Sequence, residues 1–593
     1  MVATIRRYGV PVFAAIVVLY HLYLIFSGLV PNLVARPLHM AMALPWVFIF
    51  NAEQNRLVRW SGNILCALGI GGCLYIVAQW EVLDEQYGSL EGPFQFVLAG
   101  VLVLVVLEMA RRAIKLALPS VAIIALMYAM FGEYLPGEFG HPGLPLTSLF
   151  GTLIITEGGI WGQLTGVSVN VVAVFVILGA FVGAGEGGQG FMSLATSLAG
   201  RYRAGAAKVS VLSSAFFGSI SGSASANVAS TGAITLPTMK RLGYPASLAA
   251  AVEAVASSGG QIMPPLMGAG AFVMVELLRV RYTDIMQAAA LPAVLFFVAV
   301  WVGVDMFARR YSLKPMNPED LPTRREVVTT APFFIVPFGI LLAMLFGGGV
   351  TPQYAAGIAI GASALLLLID ASGKISFGRW VERLSSGSLN AAGQIASIAS
   401  IILCAGIVIG VLHMTGLGVK ITSTIISLSG GNLWGALVLT AIACLILGME
   451  VPTTAAYVIC VSVAGPALQE LGLPALQAHL FVFWYALLST ITPPVCGTVF
   501  IAAGMAKTPW VPVAGHAMRL GVGLYVVPLA FVANPALVHP GDGLGWALLA
   551  FAKIAGGLWL ISRGLIGGNL AFYWRLVMIF VGGILIFAIG IVG

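Results

Sequence analysis

The stretch Phe217-Gly-Ser-Ile-Ser-Gly-Ser-Ala-Ser-Ala-Asn227, continued by Glu253-Ala-Val-Ala-Ser-Ser-Gly-Gly-Gln-Ile-Met-Pro-Pro265, decides how this chain is read. Small hydroxyl residues, glycines and prolines crowd together there inside a very apolar protein. Within hydrocarbon every backbone N–H and C=O needs a partner, so a helix interrupted at membrane depth survives only when it is buried in protein or lines a cavity. Two interruptions this close together mark a site.

The surrounding composition supports a membrane setting. Of 593 residues 59% are hydrophobic and only 9% charged, whereas about a quarter of a soluble domain carries charge. Mean hydropathy is +1.00. The 72 glycines and 30 prolines recur inside apolar runs and do not collect in linkers. The net charge of +7 sits in short loops and reads as an orientation signal; it gives no footprint for nucleic acid. Cys66, Cys73, Cys404, Cys444, Cys460 and Cys496 fall in apolar segments without paired spacing, which argues against disulfides or a zinc site. The first apolar run, Val10 to Val30, reads as a span and not a cleavable leader.

Charge then sets the topology. Arg6 and Arg7 place the amino terminus in the cytoplasm, and Arg56, Arg59, Arg111, Arg112, Arg201, Arg203 and Lys208 fall on the same side when the spans are counted in order. Leu149 to Val169 reads as an interfacial helix, and Val171 to Phe181 as the next span. Lys208 and Lys240 flank some thirty residues with positive charge at both ends, which one crossing cannot satisfy. A re-entrant hairpin tipped at Ser221-Gly222-Ser223 can, and the next helix, Tyr244 to Leu278, is expected to break at Ser257-Ser258-Gly259-Gly260.

The second half replays the first. Spans at about Thr330 to Phe346 and Ala355 to Ile369 precede an amphipathic piece around Trp380, Arg383 and Leu384 and a span from Gly393 to Leu412. A second hairpin is tipped by Gly448-Met-Glu450-Val-Pro452-Thr453-Thr454, and a second broken helix contains Ser489-Thr490-Ile-Thr492-Pro493-Pro494. The tip-to-break distance is 42 residues from Gly222 to Pro264 and 45 from Gly448 to Pro493. The chain is thus expected to be an all-α polytopic membrane protein. It has an inverted repeat with two re-entrant hairpins and two broken helices, the layout of secondary transporters whose site lies at the repeat interface. Its parts are a four-helix unit (1–112), the repeats (113–325 and 326–535) and two closing helices (536–593).

Each break exposes helix ends with distinct chemistry. Half-helix amino termini near Ser223, Ala224, Ser225 and Asn227, near Pro264 and Pro265, near Pro452, Thr453 and Thr454, and near Pro493 and Pro494 present free N–H groups, suited to an anionic substrate. Carbonyls freed at Ser257, Ser258, Gly259 and Gly260 and at Ser489 to Thr492, with Gly222, Gly448 and the hydroxyls of Ser221, Ser223, Thr453, Thr490 and Thr492, are hard oxygen ligands for a small cation. A lone pair of small residues is ordinary helix packing; four clusters in two matched pairs are not. Glu253, one helical turn before Ser257, and Glu450 at the second tip are carboxylates at membrane depth, able to support the cation or carry a proton. Against those roles stands a protonated or paired structural residue. Glu108 with Arg111 and Arg112, and Asp305 with Arg309, read as surface pairs, and His21 as a residue satisfied by a neighbouring helix. No Ser-His-Asp set, HExxH or phosphate-cradling loop is present, so neither an enzyme nor an ATPase is indicated and no cofactor is called for.

Phe217 to Asn227, Glu253 to Pro265 and Thr492-Pro-Pro-Val-Cys-Gly497 resemble the membrane component of a tripartite ATP-independent periplasmic (TRAP) transporter. Glu108-Met-Ala-Arg-Arg112, Gly132-Glu-Tyr-Leu-Pro136 and His141 are similar to the fused, TAXI-associated branch, in which a four-helix small subunit precedes the large one. The resemblance implies an elevator mechanism in the bacterial inner membrane. It also implies import coupled to Na⁺, or to H⁺ where Glu450 intervenes, and a periplasmic TAXI-type binding protein that delivers a small organic acid. The competing readings are a stand-alone symporter and a passive channel built on the same breaks.

Overall fold

The structure, a computed structural model, describes residues 8–50, 55–448, 452–568 and 570–588. Arg6, Arg7 and Glu450 lie outside them. The first five apolar runs fold as α1 (Val10–Phe26), α2 (Asn32–Pro45, prolonged by a π turn to Phe50), α3 (Arg56–Ala78), α4 (Gly92–Ile114) and α5 (Ala117–Phe131). Glu108 pairs with Arg111 and Arg112 at the end of α4. His21 is fully buried and meets His39 of α2 at 2.8 Å, while His39 reaches Ser168 Oγ at 3.0 Å. Polar side chains thereby join the amino-terminal unit to the rest.

The first repeat runs through α6 (Leu146–Ile155), α7 (Gln163–Ala184), α8 (Gly187–Ala199), the hairpin arms α9 (Gly205–Ser221) and α10 (Ala224–Arg241), the broken helix α11 (Ala246–Gly259) and α12 (Gly268–Leu278), and α13 (Tyr282–Arg310). Two expectations change here. The interfacial helix stops at Ile155, and residues from Gln163 onward already belong to the span, joined through a π turn at Ser168–Val172. The run between that span and the hairpin holds a separate amphipathic helix, α8.

The second repeat follows with α14 (Pro332–Gly347), α15 (Pro352–Leu366), α16 (Phe377–Thr415), α17 (Leu417–Leu428), hairpin arms α18 (Leu433–Leu447) and α19 (Thr453–Glu470), and a broken helix α20 (Ala475–Leu488) and α21 (Gly497–Ala506). The amphipathic piece around Trp380, Arg383 and Leu384 is not a separate element: it continues into the next span as one 39-residue helix. No proline interrupts it, and its early polar atoms are occupied, Trp380 Nε1 on Ala364 O at 2.8 Å and Arg383 on Glu186 at 2.8 Å. The true counterpart of α8 is α17, since each short amphipathic helix links a long span to its hairpin. Within the second repeat, α22 (Trp510–Leu520) and α23 (Val522–Ala533) make a span, Trp510–Ala533, that was not singled out from the sequence, and the chain closes with α24 (Leu544–Ile566) and α25 (Phe572–Phe587). Among the described residues nine helices are long and apolar enough to cross a membrane, or ten if the pair from Pro318 to Gly347, bent by 51°, is one span.

Two assemblies emerge. The long helix α16 packs on α1, α2, α4, α5 and α7 and gathers the amino-terminal unit around itself. The hairpins and broken helices form the second body, and they interlock reciprocally. The second hairpin arm α10 packs on α21, the far half of the other repeat's broken helix, and α19 packs on α12 in the same way. Such an exchange is what a two-fold relation between repeats requires.

Candidate functional site

Hairpin 1 turns at Gly222, where φ is +59°, a left-handed conformation that glycine adopts without penalty. Its backbone meets Gly268 at the start of α12: a Cβ on Gly222 would lie 2.5 Å from the Gly268 Cα. A Cβ on Gly218 would likewise lie 2.3 Å from the Gly260 Cα. The hairpin therefore rests backbone to backbone on the broken helix, which explains the glycines on both sides. Ser223 caps α10, its Oγ accepting from Ala226 N at 3.3 Å.

Asn227, fully buried in the first turn of α10, ties the elements together. Its Nδ2 donates to Ser214 O on α9 at 2.9 Å and to Ser257 O on α11 at 3.3 Å. It takes up a carbonyl near the end of α11, where intrahelical donors run out. Ser221 Oγ and Gln261 Oε1 are buried without a hydrogen-bond partner among the described residues. Two oxygen acceptors are thus available beside the tip and the break.

The break lies later than the sequence suggests. Helix α11 persists to Gly259 and a 3-10 turn carries the chain to Ile262, so Ser257 to Gly260 form a helix end and the irregular segment is Met263 to Met267. Gly259 and Gly260 do not interrupt the helix because they serve close approach: a Cβ on Gly259 would strike the Phe296 ring. The prolines do not open the second half-helices either. Those begin at Gly268 and Gly497, three residues past Pro265 and Pro494, because an X-Pro junction holds the chain extended before it can turn. Pro265 is buried, Pro264 and Pro493 half-buried, and Pro494 exposed.

The two breaks meet. Ser258 Oγ at the end of α11 lies 2.9 Å from Thr490 Oγ1 and 3.2 Å from Thr498 Oγ1, both in the other repeat's broken helix. Thr498 Oγ1 also donates to Thr490 O at 2.6 Å, closing the second break on itself. Thr492 Oγ1 donates to Leu488 O at 2.6 Å and contacts Tyr525 OH of α23 at 2.7 Å. Gly448, at the end of α18, is pressed against Ser489, where a Cβ would lie 2.7 Å from Oγ. Pro452 caps α19 and Thr453 and Thr454, both half-buried, form its first turn, so that amino terminus stands as expected. Ala224 is buried at the opposite amino terminus and Ser225 exposed.

Glu253 is fully buried one turn before Ser257 and collects hydroxyls from three helices. Ser210 Oγ donates to it at 2.8 Å, Ser257 Oγ at 3.3 Å and Ser214 Oγ at 3.5 Å, and Thr231 and Thr235 donate at short range. Ser210, Ser214, Thr231, Thr235, Thr498 and Tyr525 were not singled out from the sequence. Their signal was present in the spacing of Ser210 and Ser214, Thr231 and Thr235, and Glu253 and Ser257, each four apart on one helical face. No group of three or more His, Cys, Asp or Glu suited to a metal occurs among the described residues.

Residues 101–540 match the family described as the DctM component of tripartite ATP-independent periplasmic transporters. The isethionate TRAP transporter permease protein DctMQ of Oleidesulfovibrio alaskensis is 24% identical over 425 residues, 67% of this chain and 65% of that one. The C4-dicarboxylate TRAP transporter large permease protein DctM of Pseudomonas aeruginosa is 26% identical over 362 residues, 60% of this chain and 81% of that one. The ectoine/5-hydroxyectoine TRAP transporter large permease protein UehC of Ruegeria pomeroyi is 23% identical over 450 residues, 74% of this chain and 100% of that one.

Proposed function

Since the chain belongs to the DctM family of tripartite ATP-independent periplasmic transporters, whose members are membrane permeases and not enzymes, we propose that it imports a small, carboxylate-bearing anion by cation-coupled alternating access. The observation that carries this is the meeting of the two breaks at Ser258, Thr490 and Thr498, with the tip of hairpin 1 seated on Gly268 at the start of α12 and Gly448 of hairpin 2 against Ser489. Helix ends of opposite polarity are brought together there. Free N–H groups at the starts of α10, α12, α19 and α21 suit the substrate's negative charge, and carbonyls at the ends of α11 and α20, with the hydroxyls of Ser258, Thr490 and Thr492, suit a coupling Na⁺. The isethionate and C4-dicarboxylate permeases among the relatives carry small organic anions by name.

In this reading the body of hairpins and broken helices slides as an elevator against the scaffold around α16, and α8 and α17 are the connectors that allow it. The chain sits in the inner membrane with its amino terminus in the cytoplasm, in keeping with the basic residues at Arg56, Arg59, Arg111, Arg112, Arg201 and Arg203. Family members work with a periplasmic substrate-binding protein; here we assign a TAXI-type partner. The short segments 81–93, 133–145 and 535–544 on the opposite side leave no room for a capture domain within those loops.

The test is uptake of a panel of labelled organic acids into proteoliposomes holding the pure chain, with and without the purified partner outside. Saturable uptake of at least one acid that requires the partner is expected. Equal uptake without it would favour a stand-alone symporter.

A further inference from the structure

The family match ends at residue 540, and the two closing helices, α24 and α25, lie beyond it. We infer that this pair belongs to the moving body: it travels in one piece with the hairpins and broken helices and does not stay behind with the scaffold around α16. The inference rests on the transport reading above, in which the two bodies slide past each other.

The pair is a unit in itself. Helices α24 and α25 approach each other backbone to backbone at Gly557 and Gly582: a Cβ on Gly557 would lie 2.9 Å from Gly582 O, and one on Gly582 would lie 2.7 Å from Gly557 O. Lipid supplies no hydrophobic drive between helices, so close packing of this kind is what holds two of them together. At the end of α24, Arg575 of α25 donates to Gly564 O at 2.8 Å and to Leu565 O at 2.9 Å. It takes up carbonyls that a helix end leaves without an intrahelical donor.

Its attachments lead to the body of hairpins. Helix α24 packs on α13, α22, α23 and the 3-10 turn Pro535–Val538, and α25 packs on α23. Helix α13 in turn packs on α9, α11 and α12, and α23 on α20. No packing of like extent joins α24 or α25 to α16 or to α1–α7 among the described residues. Asn534, fully buried just past α23, ties down both closing helices: its Oδ1 accepts from Lys553 Nζ of α24 at 2.7 Å, and its Nδ2 donates to Ile586 O of α25 at 3.1 Å. A lysine in the middle of an apolar span is costly, and this one is directed at the body it packs on. A Cβ on Gly303 of α13 would lie 3.2 Å from Ile566 Cδ1 and 3.0 Å from Leu520 Cδ2, so α13, α22 and α24 meet without a gap. Phe587 of α25 meets Trp434 of hairpin arm α18 edge to face, ring centroids 6.1 Å apart. If the pair stayed with the scaffold, each crossing would break all of these contacts. On its other side α25 presents Tyr573, Leu576, Phe580 and Ile584, all exposed, to lipid, past which it moves without breaking any.

The test is cross-linking of the full chain in proteoliposomes supplied with the partner protein, a Na⁺ gradient and the labelled organic acids of the panel above. One protein carries Arg310→Cys, at the end of α13, and Gly568→Cys, just past α24. Both positions are exposed, and a Cβ on Gly568 would lie 3.5 Å from Arg310 Cγ. A second protein carries Gln163→Cys and Glu276→Cys, which face each other from scaffold and body, Gln163 Nε2 donating to Glu276 Oε1 at 2.7 Å. A short reducible bis-methanethiosulfonate joins each pair, the six native cysteines being buried. Joining Arg310→Cys to Gly568→Cys should leave uptake at the rate of the reduced protein, and joining Gln163→Cys to Glu276→Cys should abolish it until reductant is added. Loss of uptake with both links would overturn the inference alone, because α24 would then have to slide on α13. Uptake that survives both links would overturn the transport reading and the inference with it, because no movement between the bodies would be needed. Should the first protein fail to fold, Trp434→Cys and Phe587→Cys are joined in its place, with the same unchanged rate expected and the same loss overturning the inference.

Discussion

Ser258 and Thr490 stand 232 residues apart in sequence, yet their hydroxyl oxygens lie 2.9 Å apart where the two broken helices cross. Ser258 is the last residue but one of α11 and Thr490 lies two residues past the end of α20, so the two first half-helices end side by side.

The hydroxyl pair should matter more to cation use than to folding. Replacing Ser258 by Ala removes an oxygen from the junction, and Thr490→Val removes its neighbour; each is expected to weaken cation dependence by about tenfold, on the order of 1 to 1.5 kcal/mol. The double variant should lose little more than the worse single, since one shared contact is broken once. Cation titration of uptake at equal protein levels checks this, and full additivity would mean that the two residues act apart.

Asn227 carries two carbonyls of different helices on one amide. In Asn227→Ala these buried acceptors lose their donor, at a cost of about 1 to 3 kcal/mol. The thermal midpoint of the purified protein should fall and uptake should fall with it. An unchanged midpoint would show that hairpin 1 is held by its glycine contacts alone.

The glycines separate two kinds of close approach. Gly259→Ala puts a methyl into the Phe296 ring, so Gly259→Ala should abolish uptake and Gly259→Ala with Phe296→Ala should restore part of it. Gly218→Ala meets the Gly260 backbone, which no truncation can remove. A partner truncation that rescues Gly218→Ala would contradict the packing described.

How much of this was legible depends on what breaks a helix. The tip of hairpin 1 was readable because Gly222 needs a left-handed turn and Ser223 a cap, requirements local to the chain. The break positions were not, because Gly259 and Gly260 look like interruptions yet serve contacts with Phe296 and Gly218 on distant segments. The continuity of α16 was hidden in the same way: a switch from polar to apolar residues at Gly387 and Gly393 resembles a boundary, but Glu186 and Ala364 take up the polar atoms that would have ended the helix. Glu253 was visible as a buried acid, and its hydroxyls only as i, i+4 pairs on three separate helices.

The repeats are expected to enter the membrane from opposite faces. All six native cysteines are buried, so added thiols can be read against a quiet background. Arg203, just before hairpin 1, and Gln469, at the end of hairpin 2, are both exposed. Arg203→Cys and Gln469→Cys should label from opposite sides of sealed vesicles, and labelling of both from one side would contradict the inversion.

The central claim, that the junction of the two breaks couples a cation to substrate movement, is tested most directly by accumulation. Proteoliposomes holding the chain and supplied with partner and substrate are given an inward Na⁺ gradient, an inward proton gradient, or neither, and internal substrate is followed to its plateau. The account predicts a plateau above the external concentration under at least one gradient, collapsing when an ionophore dissipates it and reduced in Ser258→Ala with Thr490→Val. A plateau that equals the external concentration under every gradient would mean a passive pathway and would contradict it.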